Sequence, residues 1–417
     1  MKISFLTFIL GFFIFLSLNR HSKSGIQNYH SEIWADKAGY YIYLPAFFIY
    51  NFQVDGLPAE IDKKTGNGFI VRDGKIITKY TYGVALLQAP FFIICHVLSK
   101  LCNLQDDGFS LIYHKSINIA AVIYSFFSFI FLFNFLIRYL KKKVVIITLA
   151  CLYIGTNIFY YSVFETGMSH IYSLFLFASY LYLGPIANEQ KKPIYVFLFG
   201  LIIGLIIVVR PINILFLPVY FIFNTFSITD IKSNLKRYIL ILITVFIVLM
   251  PQLLYWKYAS GSYFQYSYGE ERFSNLLHPE VLKLLFSTNN GLFIYCPLLI
   301  FFLTGLFILY KHVPRFSICI AVYFIFISFV FSSWHDWTYG CSYGCRPFVE
   351  YISIFALPFG FFIEKFILKN SLKPLWLTLI IVFIVYNQKL IFSYDGCWAA
   401  GIWDWSELLK LIVSETK

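Results

Sequence analysis

Charge is scarce in this sequence. Of its 417 residues only 13% are Asp, Glu, Lys or Arg, about half the share of an ordinary soluble domain, which excludes a water-soluble globule. Polar stretches longer than about 40 residues are lacking, so no separate soluble domain interrupts the chain. No small-x-small cleavage pattern follows the first apolar run, residues 3–18, which therefore reads as an uncleaved span. Internal repeats, usual in secondary transporters, are not found either. The 33 Lys+Arg against 21 Asp+Glu are dispersed in short clusters rather than gathered in a patch, so nucleic acid is not an expected partner.

What the chain has in abundance is apolar surface: 59% hydrophobic and 21% aromatic residues. After residues 3–18, apolar runs cover 82–100, 112–139, 144–163, 168–187, 194–209, 211–226, 238–254, 291–310, 316–332, 348–366 and 374–392. Each approaches the ~20 residues needed to cross a bilayer, and backbone polar groups in lipid demand helices. The expected fold class is an all-α polytopic membrane protein with 11–13 transmembrane helices. Residues 1–392 would form a single transmembrane catalytic unit, with a large external loop at 19–81 and an external interfacial tail at 393–417.

Basic clusters assign a cytoplasmic side: Lys2; Arg138 with Lys141, Lys142 and Lys143; Lys191 and Lys192; Lys232, Lys236 and Arg237; Lys311 and Arg315; Lys365, Lys369 and Lys373. The count fails once, because a full crossing at 82–100 would carry Lys141–Lys143 to the wrong face. The preferred solution makes 82–100 re-entrant, broken near Pro90, so that 19–111 faces outward. The alternative is that the aromatic segment 39–54, expected as an interfacial helix, also crosses. Asp73-Gly74 within 55–78 reads as a small hairpin. Of the eight cysteines, Cys95, Cys151, Cys296 and Cys319 read as small core hydrophobes. Cys341, Cys345 and Cys397 fall on one side and are able to pair in an oxidising compartment, though the spacing selects no pair.

Polar residues pinned against span ends are the informative ones. Asp36 lies in Glu32-Ile-Trp-Ala-Asp36-Lys37, just after the first span. Lys79 lies in Lys79-Tyr80-Thr-Tyr82-Gly83 at the mouth of an apolar run. Glu165 and His170 share a tight turn, where an acid and an imidazole can share a proton or hold a divalent cation together with Asp36. The segment 334–347 interleaves Trp334, His335, Asp336, Trp337, Tyr343 and Arg346 with glycines, the composition of a sugar-binding surface. On a face where orientation rules disfavour cations, Lys79, Arg210, Arg272 and Arg346 call for an anionic ligand such as a lipid-linked phosphate.

With these residues laid out, the chain resembles the GT-C superfamily of polytopic glycosyltransferases, in particular the bacterial protein O-mannosyltransferase and lipid A aminoarabinose transferase group. Asp36 matches that group's acid after the first span. Lys79-Tyr80-Thr81-Tyr82-Gly83 looks like its Lys-Pro-Pro motif without the prolines, and Glu165 corresponds to its second acid, where Asp is commoner. Val209-Arg210-Pro211-Ile-Asn213 and Trp334–Pro347 look like recurring features of bacterial relatives. A soluble C-terminal domain is not expected, which argues against an asparagine-glycosylating oligosaccharyltransferase.

The resemblance implies transfer of a sugar from a polyprenyl phosphate donor to a glycan, lipid or protein acceptor at the outer, periplasmic face of a bacterial inner membrane. Transfer would invert the anomeric carbon, with Asp36 as general base. Glu165 would act beside it, Lys79, Arg210 and Arg346 would hold the donor phosphate, and His170, Trp334, His335, Asp336, Trp337 and Tyr343 would hold acceptor or sugar. Membrane lipids would be partners throughout. A lipid-diphosphate-glycan ligase or polymerase, or a secondary transporter, is the alternative.

Overall fold

The computed structural model describes residues 3–21, 25–190, 192–224 and 235–414. Lys2, Lys191, Lys232 and the last three residues of the 393–417 tail lie outside them. In chain order the first elements are helices α1 (Ile3–His21), α2 (Asp36–Tyr41), α3 (Tyr43–Phe48) and α4 (Ile61–Lys64), strands β1 (Ile70–Arg72) and β2 (Lys75–Ile77), and helices α5 (Gly83–Leu101) and α6 (Leu111–Leu136). Then come α7 (Lys142–Gly155), α8 (Asn157–Val163), α9 (Ser169–Gln190) and α10 (Pro193–Val209). A 3-10 stretch, Pro211–Val219, leads into α11 (Tyr220–Phe223), followed by α12 (Leu235–Ser260). The remainder is α13 (Val281–Phe286), α14 (Leu292–Tyr295), α15 (Ile300–His312), α16 (Pro314–Ser332), α17 (Ile352–Phe362), α18 (Lys373–Ser393) and α19 (Trp405–Val413).

Six helices among the described residues are long and apolar enough to cross a membrane: α5, α6, α9, α12, α16 and α18. The count becomes seven if α7 and α8, bent by 66°, make one span. By length and composition the chain is thus a multi-pass membrane protein, with fewer long helices than the 11–13 expected. The shortfall has local causes. Arg210 is extended before Pro211, as a residue preceding proline prefers, and ends α10. Cys296-Pro297 separates α14 from a 3-10 turn ahead of α15, and α17 runs into a π-helical stretch, Ile363–Leu368.

Two compact units make up the chain. The first comprises residues 1–128, 161–217 and 226–269, the second 129–160, 218–225 and 270–417. In the second, α15 packs on α17 with Gly305 against the Pro358 carbonyl, leaving no room for a side chain. Phe302 stacks on Phe355 at 4.5 Å and Phe301 on Phe362 at 4.5 Å. Cys341 is bonded to Cys397, while Cys345 remains a buried thiol. The tail helix α19 exposes Trp405, Leu409 and Val413 along one face.

In the first unit the expected hairpin is present. β1 and β2 pair antiparallel with Ile70 opposite Ile77, and Asp73 and Gly74 both take positive φ (51° and 69°), as a two-residue primed turn requires. Two expectations need correction. Residues 39–54 form two six-residue helices, α2 and α3, too short to cross. Most of their side chains are buried, with only Phe47 and Phe48 of α3 strongly exposed. Residues 82–100 are not re-entrant, because α5 runs unbroken through Pro90. A proline costs one backbone hydrogen bond, which packing in an apolar helix tolerates.

The course of α5 follows from what its two ends touch. At its start Gly83 lies against the backbone of Val208 and Val209, beside Arg210, and a Cβ there would collide. Arg210 in turn reaches His170 in the first turn of α9, at 3.3 Å. Four turns on, His96 Nδ1 meets Tyr113 OH at 2.7 Å. Tyr113 precedes His114, which binds Glu32 at 2.7 Å, and Asn118 on the same helix accepts from Thr166, just before α9. The chain beyond α5 also returns to α2 and α3, since Tyr41 donates to the Gly108 carbonyl and Tyr50 to that of Asp107. Between those ends, Leu87 and Phe91 meet Tyr124, three turns further along α6 than Tyr113.

Candidate active site

Asp36 opens α2, and three backbone clamps fix its surroundings. Ala35 N–H donates to the Thr65 carbonyl (2.8 Å), Thr78 Oγ1 to the Gly39 carbonyl (2.9 Å), and Tyr43 OH to the Tyr80 carbonyl (2.6 Å). The loop before β1 comes so close to α2 that a Cβ on Gly68 would overlap the Ala35 carbonyl. Gly68→Ala is expected to cost about 1–3 kcal/mol through overpacking, measured as lowered thermal stability in detergent; unchanged stability would show that this approach is not needed.

Tyr80 OH donates to Asp36 Oδ1 at 2.5 Å. Burial, and then the neighbouring Asp36 charge, push the Tyr80 phenol well above its ordinary value, so it stays a neutral donor that orients the carboxylate. The Lys79 ammonium lies 5.5 Å from the Tyr80 ring centre and 5.4 Å from that of Tyr268, and Ser267 Oγ donates to the Lys79 carbonyl at 2.6 Å. Asp36 and Lys79 both line a cavity of about 400 Å3, together with residues of the 66–70 loop, Tyr255 and Trp256 at the end of α12, and Gln265. Small-ligand sites have volumes of roughly 300–1,000 Å3.

Glu165 pairs with Lys37 at 2.9 Å, a contact between side chains only 20% and 5% exposed. The turn that carries it is pressed onto Glu32 and Lys37, where Gly167 leaves no space for a Cβ. Glu165 thus stands one residue from Asp36 through its partner, but it does not share a proton with His170 as the sequence reading expected. His170 is buried, edge-on to Tyr161 and beside Arg210. The expected cation-binding group of Asp36, Glu165 and His170 is therefore not assembled: among the described residues no three His, Cys, Asp or Glu side chains are grouped to hold a metal. Glu165 is paired with Lys37 and His170 lies beside Arg210 instead.

The most elaborate polar network centres on Glu32, which sequence reasoning quoted but gave no role. Its carboxylate is 4% exposed. It meets His114 Nδ1 at 2.7 Å, Asn118 Nδ2 at 2.5 Å and His21 Nδ1 at 2.9 Å. His21 Nε2 faces the Val163 carbonyl at 3.0 Å, so the ring is held between Glu32 and the backbone. Burial alone would raise the Glu32 carboxyl, but the hydrogen bonds and charges of His114 and His21 outweigh it and hold the group well below the usual carboxylate range. No periodicity could have signalled this cluster, since His114 is 82 residues from Glu32.

The other expected residues belong to the second unit and form a pinned loop there. Asn290 Nδ2 donates to the Thr338 and Gly340 carbonyls, both at 3.1 Å. Trp334 packs on Phe273 with ring centres 4.9 Å apart, His335 is exposed, and Trp337 and Arg346 are half-buried. Two assignments are corrected. Tyr343 presents no face to a sugar: it is fully buried, stacks on Tyr160 at 4.9 Å and donates to the Asn387 carbonyl. One Asp336 oxygen is engaged in its own turn by the Thr338 N–H (3.1 Å) and hydroxyl (2.5 Å).

Comparison with known proteins adds no assignment: no family model, curated protein or solved structure matches the chain.

Proposed function

We infer that this protein is a GT-C-like membrane glycosyltransferase that moves a sugar from a polyprenyl phosphate donor to an acceptor on the outer face of a bacterial inner membrane. The observation that carries the reading is the cavity at Asp36 and Lys79, in which a carboxylate held by Tyr80 and an ammonium beside aromatic rings line one space. In the reaction the Asp36 carboxylate takes the proton of an acceptor hydroxyl. The acceptor oxygen bonds to the anomeric carbon from the face opposite the phosphate, the carbon–oxygen bond to phosphate breaks, and polyprenyl phosphate departs with inversion. Lys79 stabilises the charge growing on that phosphate. Arg210, beside His170 in the same unit, is a further cation for the lipid phosphate. Release of polyprenyl phosphate from a radiolabelled polyprenyl-monophosphate sugar tests the reading; release only from a diphosphate donor would replace it with the ligase.

This reading places α5 along the outer surface, because a full crossing there would carry Lys141–Lys143 to the wrong face. Residues 19–111 then face outward without a re-entrant segment, α6 runs inward, and Lys141–Lys143 fall on the cytoplasmic side. The shorter apolar helices supply the remaining crossings. The Cys341–Cys397 bond suits an oxidising exterior, and the exposed face of α19 suits a lipid interface. Cys102, exposed at the end of α5, provides the check. In a variant retaining it as the sole cysteine, a membrane-impermeant maleimide should label intact spheroplasts; labelling only after permeabilisation would mean that α5 crosses.

A further inference from the structure

Lys79 is held differently along its backbone and along its side chain. Its carbonyl accepts from Ser267 Oγ at 2.6 Å, Thr78 N–H donates to Tyr255 OH at 2.8 Å, and Tyr43 OH fixes the Tyr80 carbonyl. The backbone is thus pinned at Lys79 and at both its neighbours. The side chain needs a separate cause, because a lysine ammonium rides on a flexible four-carbon stem and samples many positions unless something holds it. Two rings do so. Tyr80 and Tyr268 have centres 6.3 Å apart and planes at 82°, and the ammonium sits in the corner they form, 5.5 Å from one centre and 5.4 Å from the other. Both distances lie within the ~6 Å over which a ring face attracts a cation. Tyr80 is already fixed by its bond to Asp36 and by Tyr40, whose ring centre is 4.3 Å away. Tyr268 is half-buried, comes from the loop after α12, and is not one of the residues that line the cavity. It acts on the cavity through Lys79.

We propose that Tyr268 is a positioning residue that holds the Lys79 ammonium in the cavity as the anchor for a phosphate ester. The proposal rests on the transferase reading for the identity of that anion. Tyr80 touches Asp36 with its hydroxyl and Lys79 with its ring, so the bracket also places the cation relative to the acid. Without Tyr268 one side of the corner is open, and the ammonium has to be ordered when the anion arrives, which weakens binding. The role belongs to the ring. Phenylalanine can therefore replace Tyr268, and leucine cannot.

The test uses the full-length protein in nanodiscs and a radiolabelled polyprenyl monophosphate, with the uncharged polyprenol and inorganic phosphate as competitors. Wild type should bind the ester more tightly than the polyprenol. Tyr268→Leu should weaken ester binding by about 2–30-fold and leave polyprenol binding and thermal stability unchanged, a split that a folding defect would not produce. Tyr268→Phe should restore the wild-type affinity. Displacement by the lipid ester but not by inorganic phosphate supports a lipid-linked phosphate; displacement by inorganic phosphate that Tyr268→Leu weakens supports the bracket with a free anion as its ligand. Equal ester affinity in wild type and Tyr268→Leu, a Tyr268→Phe variant as weak as Tyr268→Leu, or wild type that binds ester and polyprenol alike would overturn the proposal. The two readings fail separately. Tyr268-dependent ester binding without any donor cleavage keeps the bracket and removes the transferase. Donor cleavage by wild type and Tyr268→Leu alike, with equal ester affinity, does the reverse.

Discussion

Asp36→Asn should lower release of polyprenyl phosphate from the sugar donor by about 10²–10⁴-fold, the usual contribution of a positioned general base. The amide is nearly isosteric and can still accept from Tyr80 OH, so the variant should fold with wild-type thermal stability. That combination distinguishes loss of a base from loss of structure. Release at the same rate in variant and wild type would remove Asp36 from the chemistry, and with it the role assigned to the Tyr80 hydrogen bond. A parallel loss of stability and activity would make Asp36 a structural anchor of α2 instead.

Glu32→Ala should be the most destabilising single substitution in this region, at about 3–5 kcal/mol, because it removes the centre of a buried charged network. The Asn118 amide and the His114 ring would lose their acceptor as well. The pH dependence has a definite sign. The folded-state carboxyl titrates below the unfolded value of about 4.3. Its contribution is therefore complete above that value and is lost as pH falls from there toward the depressed folded value. Wild type should lose stability steeply on acidification below about pH 4.3, while Glu32→Gln, which has no such group, should show a flatter profile in thermal unfolding. Parallel profiles would mean that Glu32 is not held ionised by the two histidines.

Much of the architecture was legible in the sequence, and for identifiable reasons. A helix in an apolar medium satisfies its own backbone, so an uninterrupted apolar run such as 238–254 or 316–332 is enough to specify α12 or α16. The turn at Asp73-Gly74 is equally local, since the backbone twist of a two-residue hairpin selects residues that accept positive φ. The candidate acid and lysine could be located because a charged group at a span end stands out against an apolar background.

The partners of those groups could not be read the same way. Lys37, unremarkable beside Asp36, pairs with Glu165, and Tyr80 donates to Asp36. Tyr343 looked like a binding aromatic by composition and is core by position. Cys397 pairs with Cys341 and not Cys345. Most consequentially, α5 runs unbroken through Pro90, where the residues suggested a break. The sequence by itself determined which segments are helical and membrane-compatible, because that depends on each segment's own hydrogen bonds and apolar surface. Only the tertiary structure decided where α5 runs, which charges meet and which rings are buried, because those outcomes depend on packing between segments tens to well over a hundred residues apart.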